Sequence, residues 1–158
     1  MAIAKANLDG FLDFVSLGNS DAREYLRIMA RIVYHADDIV DELYDEVQRQ
    51  DRMAELLWDV FVELPRNRFH VQHSLVLAPL LSDVIVQWQK SDEWRSVNGP
   101  DYARRVFGFV RRENMDGLVG AVAGIVGGRK HAMAVAELVM DVCHSSGETI
   151  EQWVEDDK

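Results

Sequence analysis

The sequence predicts an all-α protein that folds as one domain, a bundle of about six helices. Every apolar pattern long enough to judge repeats at three or four residues, the spacing of one helical face. Neither glycine nor proline stands between Ser20 and Pro65, so nothing there interrupts a helix. The 158 residues match one ordinary domain that can bury a core. We expect residues 1–158 to form that domain, with residues 155–158 as a frayed acidic tail.

The first half of the chain predicts helices over residues 3–15, 21–50 and 53–64. Residues 18–20, Gly-Asn-Ser, break the first of these. Ser20 or Asp21 can cap the long second helix, because Ser and Asp side chains accept a hydrogen bond from the first turn. Asp51 can cap the third helix in the same way, and we expect Pro65 to end it.

The second half predicts helical segments over residues 69–88, 101–113, 117–128, 129–146 and 148–154. We expect Pro79 to kink the first of them, since proline removes a backbone hydrogen bond and crowds the preceding turn. Residues 91–100 are expected to form a loop. Gly120, Gly124 and Gly128 recur every four residues, which predicts a helix face that another backbone can approach closely.

The composition restricts the partners and the location of the protein. It has 27 acidic and 17 basic residues, for a formal charge of −10, which argues against nucleic acid and anionic membrane surfaces. A single cysteine, Cys143, excludes an intrachain disulfide and fits a reducing compartment. No signal peptide and no run long and apolar enough to span a bilayer is recognised in the sequence. We therefore expect a cytoplasmic protein.

The highest density of acidic side chains lies in residues 34–46, which contain six carboxylates. On a continuous helix Asp37, Asp38, Asp41 and Asp45 fall within about a quarter-turn of one another, with apolar residues on the far side. Like charges this close destabilise a helix unless a cation neutralises them. Mg²⁺ fits, because it binds through one or two carboxylates together with substrate phosphates. A solvated acidic face gives the same pattern, so both interpretations stay open.

The run from Asp37 to Asp41, Asp-Asp-Ile-Val-Asp, resembles the first aspartate-rich motif, DDxxD, of isoprenoid synthases. Both the trans-prenyl diphosphate synthases and the squalene/phytoene synthase branch carry this motif. The apolar helix from Tyr25 to Tyr34 that leads into it is similar as well. The resemblance implies an all-α fold in which Asp37, Asp38 and Asp41 hold Mg²⁺ against an allylic diphosphate. If the chain is active, it implies a Mg²⁺-dependent transferase or synthase that uses prenyl diphosphates.

A second motif of this superfamily lies across the cavity from the first. Residues 140–148 resemble the terpene cyclase version of it at Asp141 and Glu148. The resemblance therefore implies Asp141 as a further metal ligand. The chain is much shorter than usual members of the superfamily, which implies a divergent or non-catalytic member.

Concentrated positive charge occurs at Arg104, Arg105, Arg111 and Arg112. Residues seven apart superpose on a helix, so these arginines form two short basic rows. Guanidinium groups bind phosphate with two hydrogen bonds, and we expect these rows to bind the diphosphate. Pairing with neighbouring acids at the surface remains the alternative.

Two other functions stay open. Asp38, Asp41 and Glu42, followed by Glu55 and Asp59, loosely resemble the acidic motifs of all-α nucleotide pyrophosphohydrolases of the MazG type, which also hold Mg²⁺. The other alternative is a non-enzymatic helical interaction protein. Four tryptophans and the glycine-lined helix are compatible with a packed subunit interface, and we expect a homodimer.

Overall fold

The protein is helical throughout the part of the chain that the structure describes. The computed structural model describes residues 5–41, 44–95 and 115–146, with side chains over 8–40, 44–91 and 117–139. The long helices are α1 (Lys5–Ser16), α2 (Ser20–Asp41), α3 (Glu46–Trp58), α4 (Arg68–Arg95) and α5 (Met115–Ser146). No strand occurs within these three ranges, which confirms the all-α class. The helices predicted over 101–113 and 148–154 lie outside the described residues.

The core is built by α1, α2, α4 and α5. Its fully buried side chains are Val15, Tyr25, Ile28, Leu77, Leu118, Val122 and Val135. Each such aliphatic or aromatic side chain contributes about 1.5–3 kcal/mol through removal from water. Helix α3 buries no side chain and contacts chiefly α2 and the turn that follows it. Helix α2 therefore has two packed faces, one against the core and one against α3.

The chain turns sharply between α1 and α2. Leu17 (φ 48°) and Gly18 (φ 79°) both adopt left-handed backbone conformations. Asn19 follows, and its Oδ1 accepts a hydrogen bond from the backbone N of Ala22 at 2.9 Å. The predicted caps, Ser20 and Asp21, are wrong, because the left-handed pair leaves Asn19 in the position that reaches the first turn.

Helix α2 ends at Asp41, so the predicted helix over 21–50 is wrong. Asp45 caps a separate helix: its side chain accepts from the backbone N of Gln48, and the Gln48 side chain accepts from the backbone N of Asp45. This reciprocal capping box satisfies two backbone donors that a continuous helix would satisfy internally. Asp51 lies inside α3 and does not cap it.

A π-helical turn, Asp59–Glu63, and a single α-helical turn, Leu64–Arg66, lead from α3 to α4. Helical structure thus runs through Pro65 and stops at Asn67. The Asn67 Nδ2 donates to the carbonyl of Asp21 at 2.9 Å, and its Oδ1 accepts from the backbone N of His70 at 2.8 Å. Asn67 therefore caps α4 and ties its start to the start of α2.

Helix α4 differs from the prediction at both the kink and the end. The non-helical backbone lies at His73 (φ −113°, ψ 16°), upstream of Pro79. The helix continues to Arg95, so residues 91–95 are helical where a loop is predicted. Ser91 is fully buried and its hydroxyl donates to the carbonyl of Trp88 at 2.7 Å, which holds this last part of the helix in place.

Helix α5 breaks at Gly128, where the backbone is left-handed (φ 73°). The close approach in α5 occurs at Gly127, where an added Cβ would lie 2.5 Å from Leu17 Cδ1 and 2.6 Å from His131 Cβ. Among the described residues, an added Cβ would meet nothing within 4 Å at Gly120 or Gly128, and at Gly124 only the Cβ of Ala132, at 3.9 Å. The predicted series of close approaches is therefore wrong, and the close approach occurs at Gly127, outside it.

Candidate functional site

Helices α2 and α3 face each other across a row of charged side chains, which we call the polar seam. It consists of Arg31, His35 and Asp38 on α2 and of Arg52, Glu55 and Asp59 on α3 and the π-helical turn. The contacts between the two helices run in opposite chain directions, so α2 and α3 are antiparallel. Arg31 lies opposite Asp59, His35 opposite Glu55, and Asp38 opposite Arg52.

The inner end of the polar seam is a two-pronged ion pair. Arg31 donates from Nε to Asp59 Oδ2 at 3.0 Å and from Nη2 to Oδ1 at 2.6 Å. The Asp59 side chain is only 7% exposed. The hydrogen bonds to Asp59 raise the pKa of Arg31, so the guanidinium stays charged. A π-helical turn shifts side chains relative to a regular helix, and here Asp59 is the first residue of that turn.

His35 occupies the middle of the polar seam. Its Nδ1 lies 3.6 Å from Glu55 Oε2 and its Nε2 lies 3.9 Å from Asp59 Oδ2, both too long for hydrogen bonds. The buried Nδ1 has no hydrogen-bond partner among the side chains and backbone that the structure describes. A small rearrangement of Glu55 would supply one.

The outer end of the polar seam surrounds Asp38. Its Oδ2 accepts a hydrogen bond from the Tyr44 hydroxyl at 3.2 Å and lies 3.8 Å from Arg52 Nε. Arg52 makes its shorter contact, 2.8 Å, with Glu55. Desolvation raises the pKa of Tyr44, and the hydrogen bond to Asp38 acts in the same direction. The Asp38 side chain is thus largely enclosed, at 13% exposed, but only loosely held by its polar contacts.

The structure places only part of the predicted site. Asp37 and Asp38 lie together near the end of α2, and Asp41 is its last residue, with a side chain outside the described set. Asp45 does not join them, because it caps α3. The backbone of Asp141 lies in α5, but its side chain is not described. No three His, Cys, Asp or Glu side chains are grouped to hold a metal in the described part of the chain.

The predicted diphosphate-binding residues Arg104, Arg105, Arg111 and Arg112 lie outside the described residues. Two other arginines lie in the polar seam: Arg52 approaches Asp38 of α2, and Arg31 pairs with Asp59 of the π-helical turn. The sequence alone did not lead us to predict either arginine as a site residue. The signal is present in the spacing: Arg31, His35 and Asp38 follow at i, i+4, i+7, and Arg52, Glu55 and Asp59 at i, i+3, i+7, so each set shares one helix face.

Comparison with known proteins gives no match to any family model, any curated protein or any solved structure. Within the described residues one helical stretch, Arg68–Ser91 of α4, is long and apolar enough to cross a membrane by length and composition. The sequence-based expectation that no such stretch exists is therefore too strong. The buried core helix of a soluble protein passes the same test, whereas only 11% of this window is buried.

Proposed function

We propose that the protein binds Mg²⁺ and the diphosphate group of a small ligand at the C-terminal end of α2, as a divergent or non-catalytic isoprenoid-synthase-like protein. One observation carries the proposal. Asp37, Asp38 and Asp41 lie at the C-terminal end of α2, and the last turn of that helix contains no basic residue. The helix dipole is negative at this end and disfavours carboxylates there. A divalent cation relieves both the dipole and the mutual repulsion of the acids.

Asp38 suits a metal ion better than Asp59 does. Both side chains are largely buried, but Asp59 is held by two hydrogen bonds from Arg31. Asp38 has one hydrogen bond at 3.2 Å and a guanidinium at 3.8 Å, contacts that a hard cation can displace. Carboxylate oxygen is the ligand that Mg²⁺ prefers. Asp37 and Asp38 would hold the ion, with Asp41 one turn along from Asp37.

Arg52 gives the site a cation for the phosphate charge that Mg²⁺ leaves unneutralised. Its side chain is 34% exposed and lies between Asp38 and Glu55. Guanidinium groups bind phosphate oxygens through paired N–H donors. Bound Mg²⁺ supplies Lewis-acid stabilisation of a diphosphate leaving group. If the protein is an enzyme, this chemistry fits a prenyl diphosphate-using transferase or synthase.

The second candidate is an all-α nucleotide pyrophosphohydrolase. The observation in its favour is the antiparallel packing of α2 and α3, which brings Glu55 and Asp59 to the same polar seam as Asp38. Acids from two facing helices are a common way to build a metal site in a helical bundle. The Arg31–Asp59 pair opposes this function, because Asp59 would have to leave its arginine to bind metal.

Metal-dependent stabilisation tests the proposal without requiring the substrate. Mg²⁺ that binds the folded state at ten times its Kd stabilises it by about 1.4 kcal/mol. We expect millimolar Mg²⁺ to raise the melting temperature of the wild type. The double variant Asp37→Asn with Asp38→Asn should lose this rise while its metal-free form is equally or more stable, because the unfavourable charge at the helix end is removed.

Asp51→Asn is the matched control, since Asp51 is exposed on α3 and away from the end of α2. It should keep the full response to Mg²⁺. If Mg²⁺ raises the melting temperature of the double variant as much as that of the wild type, this would contradict a metal site at Asp37 and Asp38.

A further inference from the structure

Helix α4 exposes an apolar face that packs against nothing in the described structure. Its buried side chains, Phe69, Leu77, Gln87 and Ser91, face the rest of the protein. Five large aliphatic residues of α4 are exposed, namely Val71, Leu75, Val76, Ile85 and Val86, and of these Leu75, Ile85 and Val86 share the side opposite the buried one. Leu75 is 93% exposed. Single exposed apolar residues are ordinary, but a continuous apolar face of this kind marks an interaction surface.

The exposed face has the spacing of a helix–helix seam. Exposed residues recur at alternating steps of four and three, namely Val71, Leu75, Ala78, Ser82, Ile85 and Gln89. This is the a/d pattern by which two helices pack along their length. Beyond the non-helical residue His73, the seam spans about 21 Å of helix from Leu75 to Gln89. The small residues Ala78 and Ser82 at its middle would let a second helix approach closely.

The face is also nearly symmetric about its own midpoint. Leu75 and Ile85 are equally distant from residue 80, and so are Ala78 and Ser82. Two antiparallel copies of α4 related by a twofold axis would therefore place Leu75 against Ile85 at both ends of the contact and Ala78 against Ser82 between them. A twofold interface requires a surface that is complementary to itself, and this surface meets that requirement.

The exposed face of α4 carries little of the charge of the chain. The chain carries a formal charge of −10, yet residues 69–90 contain only Asp83 and Lys90 among Asp, Glu, Lys and Arg. Two copies can therefore meet here without bringing further like charges together in the contact. Asp83 lies exposed in the middle of the helix, and a carboxylate at the centre of a bilayer costs about 2.5–3.5 kcal/mol on insertion scales. The face thus suits a protein helix better than lipid.

We propose that the exposed face of α4 is the contact surface of a homodimer in which the two α4 helices pack antiparallel across a twofold axis. Sedimentation velocity without added metal tests this. The wild type should sediment as a species of twice the 18.0 kDa chain mass. Leu75→Glu and Ile85→Glu should each weaken dimerisation at least tenfold, because each buries a charge in the seam twice.

Val47→Glu is the matched control. Val47 is exposed on α3 and lies outside the face, so this variant should remain dimeric. Unchanged circular dichroism in all three variants shows that the helices persist. A monomeric wild type, or a dimer that neither α4 variant weakens, overturns the proposal.

Cysteine cross-linking tests the orientation. In a Cys143→Ser background, Ser82→Cys should form a disulfide-linked dimer, because the two copies of residue 82 lie about 6 Å apart along the paired helices. Leu75→Cys should not, since its two copies are separated by about 15 Å. Equal cross-linking at both positions indicates parallel helices and overturns the antiparallel arrangement. Flotation of the wild type with phosphatidylcholine vesicles, lost in Leu75→Glu, would assign the face to lipid and also overturn the proposal.

Discussion

Arg31 on α2 holds Asp59 of the π-helical turn through two hydrogen bonds, from Nε at 3.0 Å and from Nη2 at 2.6 Å. This pair has a structural consequence because α3 buries no side chain of its own. The attachment of α3 to α2 therefore depends on the polar seam more than on the apolar core. The acids at the end of α2 and the cation Arg52 are positioned by that attachment.

Arg31→Met should lower the free energy of unfolding by about 1–3 kcal/mol, because it leaves Asp59 buried without its cation. The figure is below that of a fully buried pair, since the Arg31 side chain is 38% exposed. Urea unfolding measures the loss. Arg27→Met is the control: Arg27 pairs with Asp9 and Glu24 at the surface, and its loss should stay below about 1 kcal/mol. Equal losses would show that the Arg31–Asp59 pair has no special role.

The free energy of unfolding should decrease as the pH falls, because His70 becomes protonated. Its ring stacks on Tyr25, with centroids 5.9 Å apart, and burial lowers the pKa of His70 below the ordinary 6.5. The unfolded chain therefore binds a proton before the folded one does. The contribution of neutral His70 is fully present above pH 6.5 and is lost as the pH falls from 6.5 toward the lower folded pKa.

Urea midpoints at pH 7.5 and 5.5 measure this effect. His70→Gln should show a smaller drop than the wild type, whereas His73→Gln should keep the full drop because His70 is still present. An identical drop in the wild type and in His70→Gln would assign the pH dependence to other groups.

Gly127→Ala should destabilise the protein, since its Cβ would press on Leu17 and on the Cβ of His131. Overpacking of this kind costs about 1–3 kcal/mol. Gly120→Ala provides the comparison, because its Cβ enters open space within α5. There alanine should stabilise the helix by about 0.5–1 kcal/mol. Thermal unfolding of the pair should give shifts of opposite sign, and shifts of the same sign would contradict the packing described at Gly127.

Asp45→Ala should cost about 1 kcal/mol, the usual effect of removing an N-cap. Asp51→Ala, inside α3, should change stability by no more than about 0.5 kcal/mol. Chemical unfolding of both variants tests whether the chain really divides into two helices at Asp45. If the two substitutions have the same effect, the continuous helix over 21–50 is the better description.

The sequence was sufficient for the class of fold and for the apolar faces, because helical periodicity depends on local spacing. It failed at Asp45 for a physical reason: no glycine or proline marks the break, and an aspartate side chain can either face solvent from a helix or cap a new one. A similar difficulty arises at the start of α2, where Asn19, Ser20 and Asp21 are all suitable capping residues. Choosing among neighbouring capping residues requires the backbone conformation of Leu17 and Gly18.

The polar seam could be predicted only in part. The acids of α2 stand out in the sequence, but the partners of Asp38 and Asp59 come from another helix. Periodicity shows which residues share a face without showing which faces meet. That α2 and α3 face each other becomes visible only once Asp45 is known to cap a separate helix. The close approach at Gly127 could not be predicted for a similar reason, since its contacts with Leu17 and His131 depend on tertiary packing.

The most direct test of the proposed function is calorimetric titration of the protein with a short prenyl diphosphate, with and without Mg²⁺. We expect binding with Mg²⁺, at least tenfold weaker binding without it, and no appreciable binding of the corresponding alcohol, because the diphosphate carries the recognition. Asp37→Asn with Asp38→Asn should abolish the Mg²⁺ dependence. A nucleoside triphosphate is the comparison ligand, and its cleavage would favour the pyrophosphohydrolase. Absence of binding to the prenyl diphosphate in the presence of Mg²⁺, or equal binding without the metal, would contradict the proposal.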